Sequence, residues 1–426
     1  MWITLVWPEP NSSAAGLRLF QLIKGMQSEH TVKVVSPCKT NIYRELLELE
    51  GVDTCVLPAN DPKFDEFILY YKPEVVIFDR FMIEEQFGWR VALHAPNALR
   101  ILDTIDLHFL RVERQNKTAS VVEDWSNIEN FTLPLDHSPT RLREISAIFR
   151  SDLAVLVSWY EYECLIRHFS FPSDQFAVIP IGLDPLEGAP DFESRKNIAW
   201  IGNGKHPPNV DSLHILLQAV WPKLKVELES HGVGSPRLHI FGAYLPSGLF
   251  KEVPDGVDVL GRVEDATKTL ANFRLTLAPL RFGAGIKGKV LDSWASGTPC
   301  VTTAIGVEGL TPDKLVIPDE FYCELLAANP DEMVERAVTL YTDKIKWNSY
   351  QSTAISVIKE LFSVDLVVKK WKSLIKHNHR ELSSHRFKNV IGAALWQQQI
   401  RSTEYFSRWI EEKNAQRIHG TNKKRD

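Results

Sequence analysis

The fold is decided by the stretch Leu275-Thr-Leu-Ala-Pro-Leu-Arg-Phe-Gly-Ala-Gly-Ile-Lys-Gly-Lys-Val-Leu-Asp-Ser-Trp-Ala-Ser-Gly-Thr-Pro-Cys-Val-Thr-Thr303. It begins with the apolar run Leu275–Ala278, continues through a glycine-rich loop into a helix-length segment, and returns to an apolar run at Cys300–Thr303. A strand, a loop, a helix and a second strand in that order predict a parallel βαβ unit.

The same alternation extends in both directions from this stretch. Short runs rich in β-branched residues, without polar alternation, predict buried strands. The predicted strands are Ile3–Trp7, Thr31–Ser36, Thr54–Leu57, Val75–Phe78, Leu99–Leu102, Leu153–Val157, Phe176–Ile179, Ile198–Ile201, Arg237–Phe241, Val257–Leu260, Leu275–Ala278, Cys300–Thr303 and Leu315–Ile317. The predicted helices are Leu17–Ser28, Asn41–Glu50, Glu84–His94, Val210–Leu228, Asp265–Phe273, Lys287–Ser296, Pro330–Tyr341, Val364–Lys376 and Asn389–Trp409. This pattern predicts an α/β protein with two doubly wound domains.

The domain boundaries follow from changes in composition along the chain. A segment rich in Gly and Pro, 180–192, interrupts the alternation and is typical of a linker. We therefore expect a first domain at 1–184 and a second at 185–362. Residues 363–426 are predicted to be helices that pack back across the domains and end in a frayed, charged terminus.

Composition excludes several classes of protein. Of the 426 residues, 44% are apolar and 24% are charged, which is typical of a globular chain. The net charge of -5 predicts no overall attraction to nucleic acid. Five dispersed cysteines without a C-x-x-C pair favour free thiols and a cytoplasmic location. We expect no membrane-spanning helix, at most peripheral membrane contact through basic and tryptophan residues of the tail, and no metal site.

The glycine-rich loop has the features of an anion site. Gly283 and Gly285 allow the backbone to approach a ligand, and the following helix presents unpaired N–H groups. Lys287 and Lys289 add positive charge where the helix dipole disfavours it, which indicates an arrangement around a phosphate or diphosphate. The alternative is a tight loop with solvated lysines.

The same loop also matches the dinucleotide-binding pattern G-x-G-x-x-G, from Gly283 to Gly288. Glu308 follows 20 residues later, about where that pattern has a ribose-binding acid. A dinucleotide-dependent oxidoreductase is therefore an alternative function. Arg281 and Phe282, which separate the strand from the first glycine, argue against it.

Several segments resemble glycosyltransferase family 4. They are Pro279-Leu-Arg-Phe-Gly-Ala-Gly-Ile-Lys-Gly-Lys-Val-Leu-Asp292, Ala295-Ser-Gly-Thr-Pro299, Thr302-Thr-Ala-Ile-Gly-Val-Glu-Gly-Leu310, Trp200-Ile-Gly-Asn-Gly-Lys-His-Pro-Pro-Asn-Val-Asp211 and Val178-Ile-Pro-Ile-Gly-Leu-Asp184. The resemblance covers about residues 1–345. It implies the GT-B fold, in which two Rossmann-like domains face a central cleft. It also implies retaining sugar transfer from a nucleoside-diphosphate donor, UDP or GDP, to a hydroxyl of a glycan, a glycolipid, a lipid-linked acceptor or a small molecule, without a metal or other cofactor.

The resemblance implies a set of site residues. Those expected to bind the donor are Gly16, Arg18, Gly283, Gly285, Ile286, Lys287, Lys289, Asp292, Gly306 and Glu308, and those expected to be catalytic are Asp106, His108 and Lys289. The family has two glutamates eight positions apart, where this chain has Ala284 and Asp292, and Ile105 replaces a histidine. These departures leave a non-catalytic nucleotide-sugar binder as a further alternative.

Two positions in the first domain have two interpretations each. Arg18, in the first turn of the helix that follows the loop Pro8–Gly16, either approaches the donor phosphates or is a solvated surface charge. Asp79 and Arg80, at the end of a predicted strand, either line the acceptor side of the cleft or form a structural ion pair.

Overall fold

The structure is a computed structural model that describes residues 1–118, 125, 131–250, 253–312 and 317–422. Its strands are β1 (Trp2–Ile3), β2 (Lys33–Ser36), β3 (Asp53–Val56), β4 (Val75–Asp79), β5 (Leu99–Asp103), β6 (Leu153–Leu156), β7 (Phe176–Val178), β8 (Lys196–Ile201), β9 (Leu238–Phe241), β10 (Val257–Gly261), β11 (Phe273–Ala278) and β12 (Cys300–Thr302). They form one sheet of seven strands and one of five, and all pairings are parallel.

The helices connect the strands and continue beyond them. They are α1 (Ala14–Met26), α2 (Ile42–Leu49), α3 (Lys63–Tyr71), α4 (Phe81–His94), α5 (His108–Lys117), α6 (Pro139–Arg150), α7 (Trp159–His168), α8 (Pro207–Ile215), α9 (Trp221–Ser230), α10 (Ala266–Leu270), α11 (Gly288–Ala295), α12 (Ala304–Val307), α13 (Asp319–Cys323), α14 (Pro330–Thr342), α15 (Lys344–Val357), α16 (Val364–Arg380), α17 (Leu382–Lys388) and α18 (Val390–Asn422). None of the described helices is both long enough and apolar enough to span a membrane.

Both sheets have a doubly wound topology. The strand order is β3-β2-β1-β4-β5-β6-β7 in the first sheet and β10-β9-β8-β11-β12 in the second. In each sheet the order reverses direction between two adjacent central strands, β1 and β4 in the first and β8 and β11 in the second. Ligands of such folds bind at the carboxyl ends of the strands beside this reversal. The prediction of two doubly wound α/β sheets is confirmed.

Helix starts are specified by local capping. Ser13 accepts a hydrogen bond from the Gly16 N–H (3.1 Å) and thereby caps α1. Asn41 and Asn329 cap α2 and α14 in the same way. Each cap satisfies a backbone donor that the first helical turn leaves unpaired.

The C-terminal helices return to the first sheet. Helix α16 packs on α1, and its fully buried Trp371 joins the apolar cluster beneath β1. Helix α18 packs on α4 and α6, where the Trp396 indole donates to the Arg150 carbonyl (2.8 Å). The side chain of Ser407 is also buried and bonds to Asn60. The chain thus crosses from the second domain back to the first.

Several predicted elements differ from the structure. The single helix predicted at Val210–Leu228 is instead α8, a π-helical segment at Leu216–Val220 and α9. Strand β1 has two residues rather than the five of Ile3–Trp7, although Trp7 is buried. The helix predicted at Asp265–Phe273 ends at Leu270, because Phe273 is needed as the first residue of β11. Of the strand predicted at Leu315–Ile317, only Ile317 lies among the described residues, and it is buried outside any strand. The predicted frayed end lies outside the described residues beyond Asn422.

Candidate active site

A cavity of about 860 Å³ lies between the two sheets, at the carboxyl ends of their strands. The first domain contributes the loop before α1 and the residues that follow β4 and β5. The second domain contributes the loops after β8, β9 and β10 and the glycine-rich loop between β11 and α11. The cavity therefore lies beside the reversal point of both sheets, which is the ligand position expected for this topology.

The glycine-rich loop is fixed by a carboxylate from the other domain. Gly285 has a φ of 64°, and a Cβ there would lie 2.9 Å from the Ile105 carbonyl oxygen, so both backbone shape and space require glycine. The Gly285 N–H donates to Glu161 Oε1 (2.8 Å), which also accepts from the Leu107 N–H (2.7 Å). Burial raises the pKa of the Glu161 carboxyl. The Gly285 amide, which the sequence suggested for an anion, therefore has a protein partner.

Lys287 and Glu308 belong to a second connection between the domains. Arg114 of α5 makes a two-armed ion pair with Glu308 (2.8 and 2.7 Å) and donates to the Gly283 carbonyl (2.8 Å). The Lys287 amine donates to the Gly285 carbonyl (2.9 Å) and lies 3.7 Å from Glu308. Glu308 does not line the cavity. This placement argues against its use as a ribose ligand and therefore against the dinucleotide alternative.

Lys289 and Asp292 lie on the first turns of α11 and line the cavity. The Lys289 amine has no hydrogen-bond partner among the described residues and sits 4.6 Å from the centre of the Trp200 ring. Burial lowers the pKa of the Lys289 amine to about 7. Burial, with Asp265 nearby, raises the pKa of the Asp292 carboxyl to about 7. Lys289, whose amine has no hydrogen-bond partner among the described residues, and Asp292, about one turn further along α11, therefore belong to the same wall of the cavity.

The opposite wall carries Asp106 and His108, which follow β5. The His108 Nε2 lies 3.3 Å from Asp106 Oδ1, and Arg111 donates to Asp106 Oδ2. Glu144 accepts the N–H groups of His108 (3.0 Å) and Phe109 (2.8 Å), which anchors the start of α5. Burial lowers the pKa of the His108 imidazole, so that it is held neutral. Both predicted catalytic side chains of this wall line the cavity.

Arg18 is buried rather than solvated. Its exposed fraction is 1%, it pairs with Asp103, and it donates to the Ile179 carbonyl (3.3 Å). The surface-charge interpretation is therefore wrong. Arg18 still borders the cavity, and its guanidinium also stacks on Trp371 at 5.6 Å.

The remaining predicted positions divide into two groups. Gly283, Ile286, Lys287 and Lys289 line the cavity. Gly16 and Gly306 do not, and both are close-packing positions: a Cβ would lie 2.4 Å from the Glu9 carbonyl oxygen at Gly16 and 2.0 Å from the Thr302 hydroxyl at Gly306.

Sequence reasoning did not find His206, Arg111 or Glu161. His206 comes from the loop after β8, and burial, followed by the charges of Arg111 and Lys289, lowers its pKa to about 3. Positive groups of both walls therefore act on one part of the cavity. His206 lies within the segment Trp200–Asp211 that carries the resemblance but was given no role, and Arg111 and Glu161 lie in no motif. Each of the three comes from a different element, and only the domain arrangement brings them together.

No group of three His, Cys, Asp or Glu side chains among the described residues is arranged to hold a metal ion. Asp79 and Arg80 form the ion pair foreseen as one alternative (2.9 and 2.8 Å), and Arg80 also lines the cavity, as foreseen in the other.

A comparison with known proteins finds a family similarity in the second domain. Residues 195–343 match the family model of group 1 glycosyl transferases. The matched segment contains β8 to α14 and therefore the second domain's wall of the cavity. No curated protein sequence matches the chain.

Solved structures match across both domains. Anabaena HepE in complex with UDP and glucose has a TM-score of 0.63 at 13% identity, over 88% of this chain and 99% of its own. Sucrose-phosphate synthase from Thermosynechococcus elongatus has a TM-score of 0.61 at 15% identity, over 88% and 98%. A glycosyltransferase from Rickettsia africae has a TM-score of 0.59 at 12% identity, over 88% and 97%. These matches confirm the GT-B fold, and together with the family similarity of residues 195–343 they support glycosyltransferase activity.

Proposed function

We propose that the protein transfers a sugar from a nucleoside-diphosphate donor to a hydroxyl acceptor with retention of anomeric configuration. The nucleoside diphosphate of the proposed donor is UDP. The observation that carries the proposal is Lys289, which belongs to the cavity wall on α11 and whose buried amine has no hydrogen-bond partner among the described residues. A diphosphate supplies the anion that this amine and the helix N-terminus would bind. The complexes of HepE with UDP and with UDP-glucose support UDP over GDP.

In the proposed reaction the donor diphosphate lies against α11 and Asp292 accepts hydrogen bonds from the ribose. The bond between the anomeric carbon and the diphosphate oxygen breaks, and its electron pair stays on the diphosphate. Lys289 stabilises this growing charge more in the transition state than in the ground state. The acceptor oxygen bonds to the same face of the sugar, and its proton passes to the departing diphosphate.

Asp106 and His108 are proposed to contact the transferred sugar from the opposite wall. Both line the cavity, and His108 is neutral because of its burial, so it offers a hydrogen bond without opposing an oxocarbenium-like charge. A carboxylate at Asp106 would favour the same positive charge. The two residues are thus suited to the sugar, whereas Lys289 is suited to the leaving group.

A thermal-shift series tests the donor assignment. The wild-type protein is heated with UDP, UDP-glucose, GDP, ADP or NAD, each at saturating concentration. A ligand at 100 times its dissociation constant adds about 2.7 kcal/mol to the free energy of unfolding. We expect stabilisation by UDP and UDP-glucose. Stabilisation by NAD alone would support the dinucleotide alternative, and no shift with any nucleotide would reject the proposal.

A variant tests the role of Lys289. Lys289→Ala is expected to lower kcat/KM for UDP release at least tenfold and to keep the melting temperature, because the amine makes no hydrogen bond to any residue that the structure describes. Lys223→Ala is the matched control, since Lys223 is exposed on α9 and forms an ion pair with Asp331. Binding of UDP without any turnover in the wild type would instead support the non-catalytic alternative. The anomer of the product, identified by NMR, tests retention.

A further inference from the structure

We propose that Arg80 and Arg111 form a binding site for an oxyanion, a phosphate or carboxylate, carried by the acceptor substrate. The inference rests on the proposed function, because it assigns the acceptor half of the same cavity. Both arginines line that cavity from the first domain, at the carboxyl ends of β4 and β5. Lys289 and α11, which are assigned to the donor, belong to the second domain.

The backbone of Arg80 is the first observation. Its φ of 71° and ψ of 160° lie in a region that glycine alone adopts readily. The strained backbone is held by a hydrogen bond from the Arg80 N–H to the Asp103 carbonyl (2.9 Å) and by the start of α4 directly after it. A glycine would fit this junction without strain. The chain instead has a long cation there, and such strain is typical of binding sites.

The free donors of the two guanidinium groups are the second observation. Arg80 uses one terminal nitrogen, Nη1, for both oxygens of Asp79, and Arg111 uses its Nη1 for Asp106. No other side-chain hydrogen bond of either arginine occurs within the described part of the chain. A guanidinium has five donors, so Nε and Nη2 of each remain available. The two carboxylates orient the arginines and leave a planar fork for a further anion.

The charge distribution is the third observation. His206 projects from the second domain, and the positive charges of Arg111, Lys289 and Arg80 all act on it. The two arginines therefore lie within electrostatic range of the second domain's wall of the cavity. A diphosphate on α11 would use Lys289 on that wall, so the arginines of the opposite wall keep their orienting carboxylates, Asp79 and Asp106, and have no ligand anion. An acceptor with a phosphate or carboxylate near its reactive hydroxyl would supply that anion.

Inorganic phosphate is the probe, added to the full-length protein after saturation with UDP. Filling the donor site first means that any phosphate bound afterwards occupies a second site. We expect phosphate to bind the UDP-saturated wild type in isothermal titration. We expect Arg80→Gln and Arg111→Gln each to weaken that binding at least tenfold while the dissociation constant for UDP stays within twofold. Arg143→Gln is the matched control, since Arg143 is exposed on α6 and bonds to Glu85.

The variant Arg80→Gly separates a loss of function from a loss of fold. Like Arg80→Gln it removes the guanidinium that pairs with the buried Asp79, but it also relieves the backbone strain. We therefore expect a melting temperature above that of Arg80→Gln together with the same loss of phosphate binding. Two results would overturn the inference: no phosphate binding to the UDP-saturated wild type, or a loss of UDP affinity in Arg80→Gln as large as in Lys289→Ala. The second result would assign the arginines to the donor. If UDP itself does not bind the wild type, the proposed function fails, and the same phosphate titration of the free protein and its variants still decides whether the arginines bind an oxyanion.

Discussion

Donor affinity is expected to depend on pH through two groups with opposite charge requirements. Lys289 must be protonated to attract the diphosphate, and Asp292 must be ionised to accept from the ribose. Burial brings the pKa of both groups to about 7. The lysine pKa is thus lowered from its ordinary value, so its cationic form is lost as pH rises through 7. The aspartate pKa is raised, so its anionic form is lost as pH falls through 7.

The magnitude follows from these two titrations. If each group is half in its binding form at pH 7, about a quarter of the molecules have both forms, and at pH 5 or pH 9 only about 1% do. The association constant for UDP-glucose should therefore be greatest near pH 7 and fall about 25-fold by pH 5 or pH 9. UDP-glucose is the suitable ligand because its diphosphate diester keeps both negative charges over this range. His206, with a pKa of about 3, stays neutral throughout.

Isothermal titration from pH 5 to pH 9 checks this prediction. Two variants identify which group causes the acidic limb and which the alkaline limb of the affinity profile. Lys289→Met should remove the alkaline limb and leave the acidic one, whereas Asp292→Asn should remove the acidic limb and leave the alkaline one. The reasoning would be refuted by a wild-type profile that is flat over this range. It would also be refuted by an alkaline limb that persists in Lys289→Met, which would assign that titration to another group.

Three further predictions concern the fold and the contacts between the domains. Glu161→Gln keeps the oxygen that accepts from two amides but removes a buried charge whose pKa is raised, so the melting temperature should exceed that of the wild type at pH 8 and match it at pH 4. Glu308→Gln leaves Arg114 buried without its carboxylate and should cost about 3–5 kcal/mol in urea unfolding, together with reduced kcat/KM; an effect below 1 kcal/mol would mean that the pair is not a connection between the domains. Trp371→Ala should cost about 3–5 kcal/mol because the ring is fully buried, whereas Trp409→Ala, 53% exposed, should change stability by less than about 0.5 kcal/mol; equal effects would contradict the packing of α16.

The two sheets could be predicted from the sequence because the strands are fully buried. Val34, Val76 and Ile101, for example, have almost no exposed surface, so each run had to be continuously apolar. The glycine-rich loop and Lys289 could also be found, since a loop and the helix after it are adjacent in the chain. The prediction of strand β1 was less accurate. Trp7 is buried as a strand residue would be, but the strand itself ends at Ile3.

The other half of the site could not be predicted from local pattern. Glu161 lies 124 residues from Gly285, and Arg114 lies 194 residues from Glu308. In the sequence, none of these charged side chains differs from its neighbours in any recognisable way. Each makes its contact only when the two domains are brought together. Arg18 illustrates the same limit: its burial depends on Asp103, 85 residues away, and not on its neighbours in α1.

The departure at position 284 is explained by what surrounds it. Ala284 lines the cavity and also joins the apolar cluster of the first domain, so hydrocarbon groups would cover part of a longer acidic side chain at this position. A carboxylate of the first domain, Glu161, binds the Gly285 amide instead but does not line the cavity. It therefore holds the loop in place without being able to contact the donor sugar. We infer that polar contacts to the sugar come from the first domain, through Asp106 and His108, and that the missing glutamate changes which domain recognises the sugar rather than whether it is recognised.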